Sequence, residues 1–172
     1  MKKQAGYGMI LAALAIMLLA TGCSKADQIV KEVEKAEKQV EEEGELTVTY
    51  DNGKEVTFSN KADIPDMFPS DVPFPDGIQV VSSIGSDRGV TVMFDTELPY
   101  DDVVELYVDY AQKAGYTELH RLEDENSIHY SSQRGTEIFA FHLQLSMEDN
   151  KTIEGAIDYG ITTEPAQEEV EE

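Results

Sequence analysis

Three histidines, one cysteine and a large excess of carboxylates are the side chains of this chain with chemistry to offer. His120, His129 and His142 fall in three neighbouring stretches of alternating apolar residues. Imidazoles on adjacent strands make a metal site when they share a face and converge, and otherwise sit at a surface or rim. His142 alternates with Phe141 and Leu143, so it should point away from the apolar face and toward solvent. The run Asp149-Asn150-Lys151-Thr152-Ile153-Glu154 offers oxygen ligands to a calcium ion. It lacks the D-x-[DN]-x-[DN]-G series that wraps one, and Lys151 sits in its middle, so a plain hairpin turn is the competing reading. Ser131 and Ser132 stand in no G-x-S-x-G frame, and no Gly-rich loop opens a helix to cradle phosphate. Asp101 and Asp102 are adjacent where a helix should begin, which suits the helix dipole better than glycosidase chemistry. Tyr100, Tyr107, Tyr110 and Tyr116 surround one long helical pattern and would either line a ligand groove or pack as core. No catalytic, cofactor-binding or metal-ligating set emerges, and no cofactor is expected.

Charge narrows the partners. Of 172 residues, 35 are acidic and 13 basic, for a formal net charge of −22. Such a field repels nucleic acid and other anionic polymers, so nucleic-acid binding is excluded as an expectation. The acids are spread along the chain, which reads as solubility, with cation attraction as the functional alternative.

The elements that must position these groups are legible in the periodicities. Residues 24–43 read as a polar helix with a sparse apolar stripe of Ile29, Val33, Ala36 and Val40, stopped by Gly44. Residues 45–59 read as a β-hairpin around Asn52-Gly53. Residues 64–77 carry Pro65, Pro69, Pro73 and Pro75 and read as an extended segment packed by Met67, Phe68, Val72 and Phe74. Strands are expected at 78–83 and 90–96, joined around Gly85 to Gly89. A helix follows at 100–114, introduced by Pro99 and ended by Gly115. Four more strands are expected at 117–122, 127–133, 137–147 and 152–162, with Met147 sharing the apolar face of Phe139, Phe141, Leu143 and Leu145. Hairpins with one long helix imply an α+β fold. Its expected form is an antiparallel sheet with that helix packed on one face, preceded by a tether helix.

The N-terminus carries an address. Lys2 and Lys3 precede an apolar run from Met9 to Ala20, followed by small residues and Cys23, the sole cysteine. This is the three-part secretory signal pattern. Leu19-Ala20-Thr21-Gly22-Cys23 resembles the lipobox of bacterial lipoproteins, with Ala20 where Leu is commonest. The resemblance implies cleavage between Gly22 and Cys23, and diacylglyceryl attachment to the Cys23 sulfur. It implies palmitate-type acylation of the freed amine in many bacteria. Two or more acyl chains anchor stably, because each buried methylene contributes roughly 0.8 kcal/mol. An uncleaved membrane-spanning helix over residues 5–22, or an ordinary buried thiol, are the alternatives. A lipidated Cys23 leaves no thiol for disulfides or metal.

The expected layout is therefore a signal peptide at 1–22, a lipid-anchored helical tether at 23–44, a globular domain at 45–163, and an acidic disordered tail at 164–172. A second resemblance rests on Pro69-x-Asp71-x-Pro73-x-Pro75-x-Gly77, then Leu106-Tyr107 and Ala114-Gly115-Tyr116. This stretch is similar to a module of poorly characterised bacterial envelope lipoproteins and would cover about residues 64–162. It implies the layout and the envelope location only. The resulting expectation is an extracytoplasmic, membrane-tethered, non-enzymatic binding or structural module that meets an envelope protein partner. An envelope hydrolase or metal-dependent enzyme is the alternative.

Overall fold

A computed structural model describes residue 40 and residues 43–50 and 53–162. The signal peptide, Cys23, nearly all of the tether and the acidic tail lie outside them. Of the tether, Val40 and Glu43 are helical. The Gly44 N–H donates to the Val40 carbonyl at 2.9 Å, with Gly44 at φ 78°. That is the left-handed stop expected at this glycine.

Eight strands follow in chain order: β1 Glu45–Thr49, β2 Glu55–Ser59, β3 Ile78–Ser86, β4 Gly89–Thr96, β5 Thr117–Glu123, β6 Ser127–Arg134, β7 Glu137–Leu145 and β8 Ile153–Ile161. One helix, α1 Tyr100–Lys113, joins β4 to β5. All eight strands form a single antiparallel sheet in the order β1-β2-β3-β4-β8-β7-β6-β5. The chain leaves β4, crosses to the far edge at β5, then returns by hairpins until β8 fills the gap beside β4. Four strand spacings separate β4 from β5, about 19 Å, and 14 helical residues span about 21 Å, so α1 is long enough for the crossing.

The expected α+β sandwich with one long helix is overturned. The protein is mostly β, an eight-stranded sheet carrying one 14-residue helix among the described residues. The reason is width. Eight strands extend over about 34 Å, whereas a helix with its side chains is only about 10–12 Å across. One helix is therefore a partial cover and not a layer.

The core lies between one face of the sheet and the segments laid on it. Val90, Val92 and Phe94 of β4, Ile153 and Ile157 of β8, Phe139, Phe141 and Leu143 of β7, and Ile128 and Tyr130 of β6 are buried there. The alternation within each strand places them on this face. Val103, Val104, Tyr107 and Ala111 of α1 pack onto it. The proline-rich segment adds Phe68 and Val72, and Phe74 meets Phe94 edge-on at 6.4 Å. Met67 does not join them, being 47% exposed. Gly155 sits directly beneath the Phe94 ring, where any Cβ would overlap it.

Two further expectations are corrected. Met147 is 92% exposed, because β7 ends at Leu145 and the chain turns at Ser146, whose N–H donates to Thr152 O. The connection from Gly85 to Gly89 is tighter than expected. β3 runs to Ser86, whose hydroxyl donates to Gly89 O and accepts from Arg88 N–H, which closes a two-residue turn. Among the described residues no helix is long and apolar enough to cross a membrane.

Candidate functional site

The face of the sheet opposite the core carries the polar chemistry. Register sets it out in two adjacent rungs. One runs Ser82, Met93, Ala156, His142, His129, Leu122 and the next Ile84, Thr91, Asp158, Ala140, Ser131, His120. The two inner histidines alternate along their strands with buried apolar neighbours, His129 with Ile128 and Tyr130, and His142 with Phe141 and Leu143. His142 thus points away from the core, as its alternation predicts.

His129 and His142 are direct cross-strand partners, and their rings stack at 4.0 Å between centroids with planes 11° apart. Neither ring makes a hydrogen bond among the described residues. Asp158, one rung along, accepts a short hydrogen bond on Oδ1 from the Thr91 hydroxyl. Ala140 and Ala156 carry only methyl groups and leave the surface open around them. His142 is half-buried and its pKa is lowered, first by burial and then by the neighbouring His129, against the pull of Asp158. The Asp158 carboxyl is pushed up, first by protein crowding on this central strand. The Thr91 hydrogen bond and the two imidazoles oppose that rise. Asp158 remains exposed, so water screens these effects.

The structure therefore joins two of the three histidines. His120 pairs with Ser131 on the outer strand, is exposed, and stays apart from the stack. Among the described residues no three His, Cys, Asp or Glu groups converge as metal ligands. Asp158 and Thr91 were not singled out from the sequence. Asp158 lies between Ile157 and Tyr159, and that alternation already places it on the histidine face.

The other groups have structural roles. Tyr107 is fully buried against Phe94 and Phe141, at 5.9 and 5.7 Å between rings. Tyr110 packs edge-on with Phe139 at 4.9 Å. Tyr116 lies under the Arg134 guanidinium, 4.6 Å from its carbon. Arg134 also donates to Ala114 O at the end of α1 and to Glu137, whose carboxyl it holds below the usual range. Tyr100 is part-buried and its hydroxyl is pushed up to about 12, chiefly by burial. The Ser132 hydroxyl is committed to Phe139 O. Asp101 and Asp102 occupy the first turn of α1. Asp149 accepts from the N–H groups of Lys151 and Thr152 and from the Thr152 hydroxyl, so its oxygens close its own turn. These bonds hold its carboxyl down at about 2.

Between α1 and the proline-rich segment runs an open groove of about 620 Å³, lined by Asp71, Asp102, Glu105, Asp109 and Tyr110 among others. Its one cation, Lys113, is paired with Asp109 at 2.8 Å.

Comparison of the chain with protein-family models finds no match, and comparisons with curated proteins and with solved structures find none either.

Proposed function

We propose that this chain is a lipid-anchored, extracytoplasmic module of a bacterial envelope that binds a partner and catalyses no reaction. The observation that carries the reading is Leu19 to Cys23, placed directly behind a basic start and an apolar run. Cleavage before Cys23 makes its amine the new N-terminus, and acylation there and on sulfur supplies the multiple chains that stable anchoring needs.

The domain's layout supports this reading. The sheet begins at Glu45, roughly 20 residues after Cys23, and a tether of that length, if it forms the helix its apolar stripe predicts, would span about 30 Å. That distance holds an acidic domain clear of anionic headgroups, whose field falls off within about 10 Å at ordinary salt. The domain then offers a partner a broad polar sheet face and an acidic groove.

The test is expression in a bacterium with lipoprotein processing, followed by membrane fractionation after feeding labelled palmitate. The parent should carry label and sediment with membranes, and Cys23→Ala should lose the label and retain residues 1–22. A Cys23→Ala chain with unchanged mass and unchanged membrane partition would show an uncleaved membrane helix instead. Crosslinking in intact cells should then recover a protein partner from the parent that is lost when the domain's polar face is altered.

A further inference from the structure

The geometry points to His129 and His142 as a clamp for one divalent late-transition-metal ion, Zn²⁺ in the first instance, with Asp158 as the adjacent carboxylate. This assignment does not depend on the lipid anchor.

Distance comes first. Two imidazole nitrogens that share a tetrahedral ion at about 2.0–2.1 Å each must lie about 3.3 Å apart. The stacked rings stand 4.0 Å apart at their centroids. An ion held by both rings must lie in both ring planes, so the rings must turn out of their parallel stack until their lone pairs meet at one point. Neither ring is hydrogen-bonded among the described residues, His129 is exposed, and the flanking Ala140 and Ala156 leave space for water to complete the coordination shell.

The charges also favour an ion. Two stacked imidazoles repel once both are protonated, whereas a metal binds their neutral forms. Asp158 uses Oδ1 for Thr91, and its Oδ2 accepts no hydrogen bond among the described residues. That oxygen can reach the ion through a bridging water. The acidic surface of the chain raises the local concentration of cations. Imidazole donors select zinc, copper or nickel over magnesium and calcium, which prefer oxygen. With two nitrogens as its direct protein ligands in place of a closed four-ligand cage, the site suits exchangeable metal and not a structural one.

Zinc should be titrated into the full chain, purified in detergent, in excess Mg²⁺ so that the many surface carboxylates are occupied by a hard cation. One Zn²⁺ per chain is expected. His129→Ala and His142→Ala should each weaken it by at least about tenfold, Asp158→Asn by about tenfold or less, and His120→Ala should leave it unchanged. Independently of any variant, the ring-nitrogen NMR signals of His129 and His142 should shift on adding Zn²⁺ while those of His120 stay in place. Equal Zn²⁺ affinity in the parent and the His129→Ala/His142→Ala double variant would overturn the assignment, as would the absence of Zn²⁺ binding in excess Mg²⁺.

Discussion

Tyr107→Phe should make the domain more stable. The Tyr107 side chain is fully buried, and its hydroxyl has no hydrogen-bond partner among the described residues. A buried, unsatisfied polar group costs about 1–3 kcal/mol of desolvation. Phenylalanine keeps the ring that meets Phe94 and Phe141 and removes only the oxygen. The void left by one oxygen, on the order of 10 Å³, costs about 0.2 kcal/mol at the usual cavity coefficient. A net gain of about 1 kcal/mol is therefore expected. With a urea slope of about 1–2 kcal/mol/M, the unfolding midpoint should rise by about 0.5–1 M with the slope unchanged. Tyr107→Ala, which removes the ring as well, should lower stability by about 3–5 kcal/mol. If Tyr107→Phe instead destabilises by more than about 1 kcal/mol, the hydroxyl has a partner, such as an internal water, and the reasoning fails.

Other outcomes follow from the same packing and charge arguments. Gly155→Ala should destabilise by about 1–3 kcal/mol, measured by thermal or urea unfolding, because the new methyl displaces the Phe94 ring from its place over the strand. Arg134→Lys should recover little of the loss caused by Arg134→Ala, about 1 kcal/mol, since an ammonium cannot bridge Ala114 O and Glu137 while lying over Tyr116. On the alkaline side, Tyr100 and Tyr116 have hydroxyls raised to about 12, chiefly by burial, and Tyr107 is raised further. The folded chain thus holds protons that the unfolded chain releases above about pH 10, so stability should fall from there through pH 12. Ultraviolet absorbance should show these tyrosines ionising late or together with unfolding. On the acid side, Asp149 is lowered to about 2. Its contribution is present above the ordinary carboxylate range and is lost as pH falls from about 4 toward 2, which NMR titration of its side chain would follow.

The positions of the core strands are legible because β4 and β7 alternate cleanly. Val90, Val92 and Phe94, or Phe139, Phe141 and Leu143, each mark one face without reference to any other strand. The ends were harder to read. Met147 keeps the alternation in sequence, yet backbone hydrogen bonding has ended by then, and hydropathy does not register that. The class was misjudged for a related reason. A helix with a wide apolar face suggests a layer, but coverage depends on how many strands lie side by side. That number follows from β8 inserting between β4 and β7, a long-range pairing that leaves no local trace. The histidines divide in the same way. Alternation reveals that His142 turns outward, but the stack with His129 requires the β6–β7 register, and the approach of Asp158 requires the β7–β8 register. Phe58, Ser82 and Met93 are buried on the histidine face, apart from the main core cluster, and nothing in their local pattern marks that second buried patch.

The central claim, a lipid anchor on an extracytoplasmic domain, is tested most directly at the N-terminus itself. Mass spectrometry of the N-terminal peptide, taken from the chain isolated from bacterial membranes, should show a sequence beginning at Cys23 that carries the diacylglyceryl and acyl masses. A peptide that still contains residues 1–22, or one that begins elsewhere with an unmodified Cys23, would contradict the account.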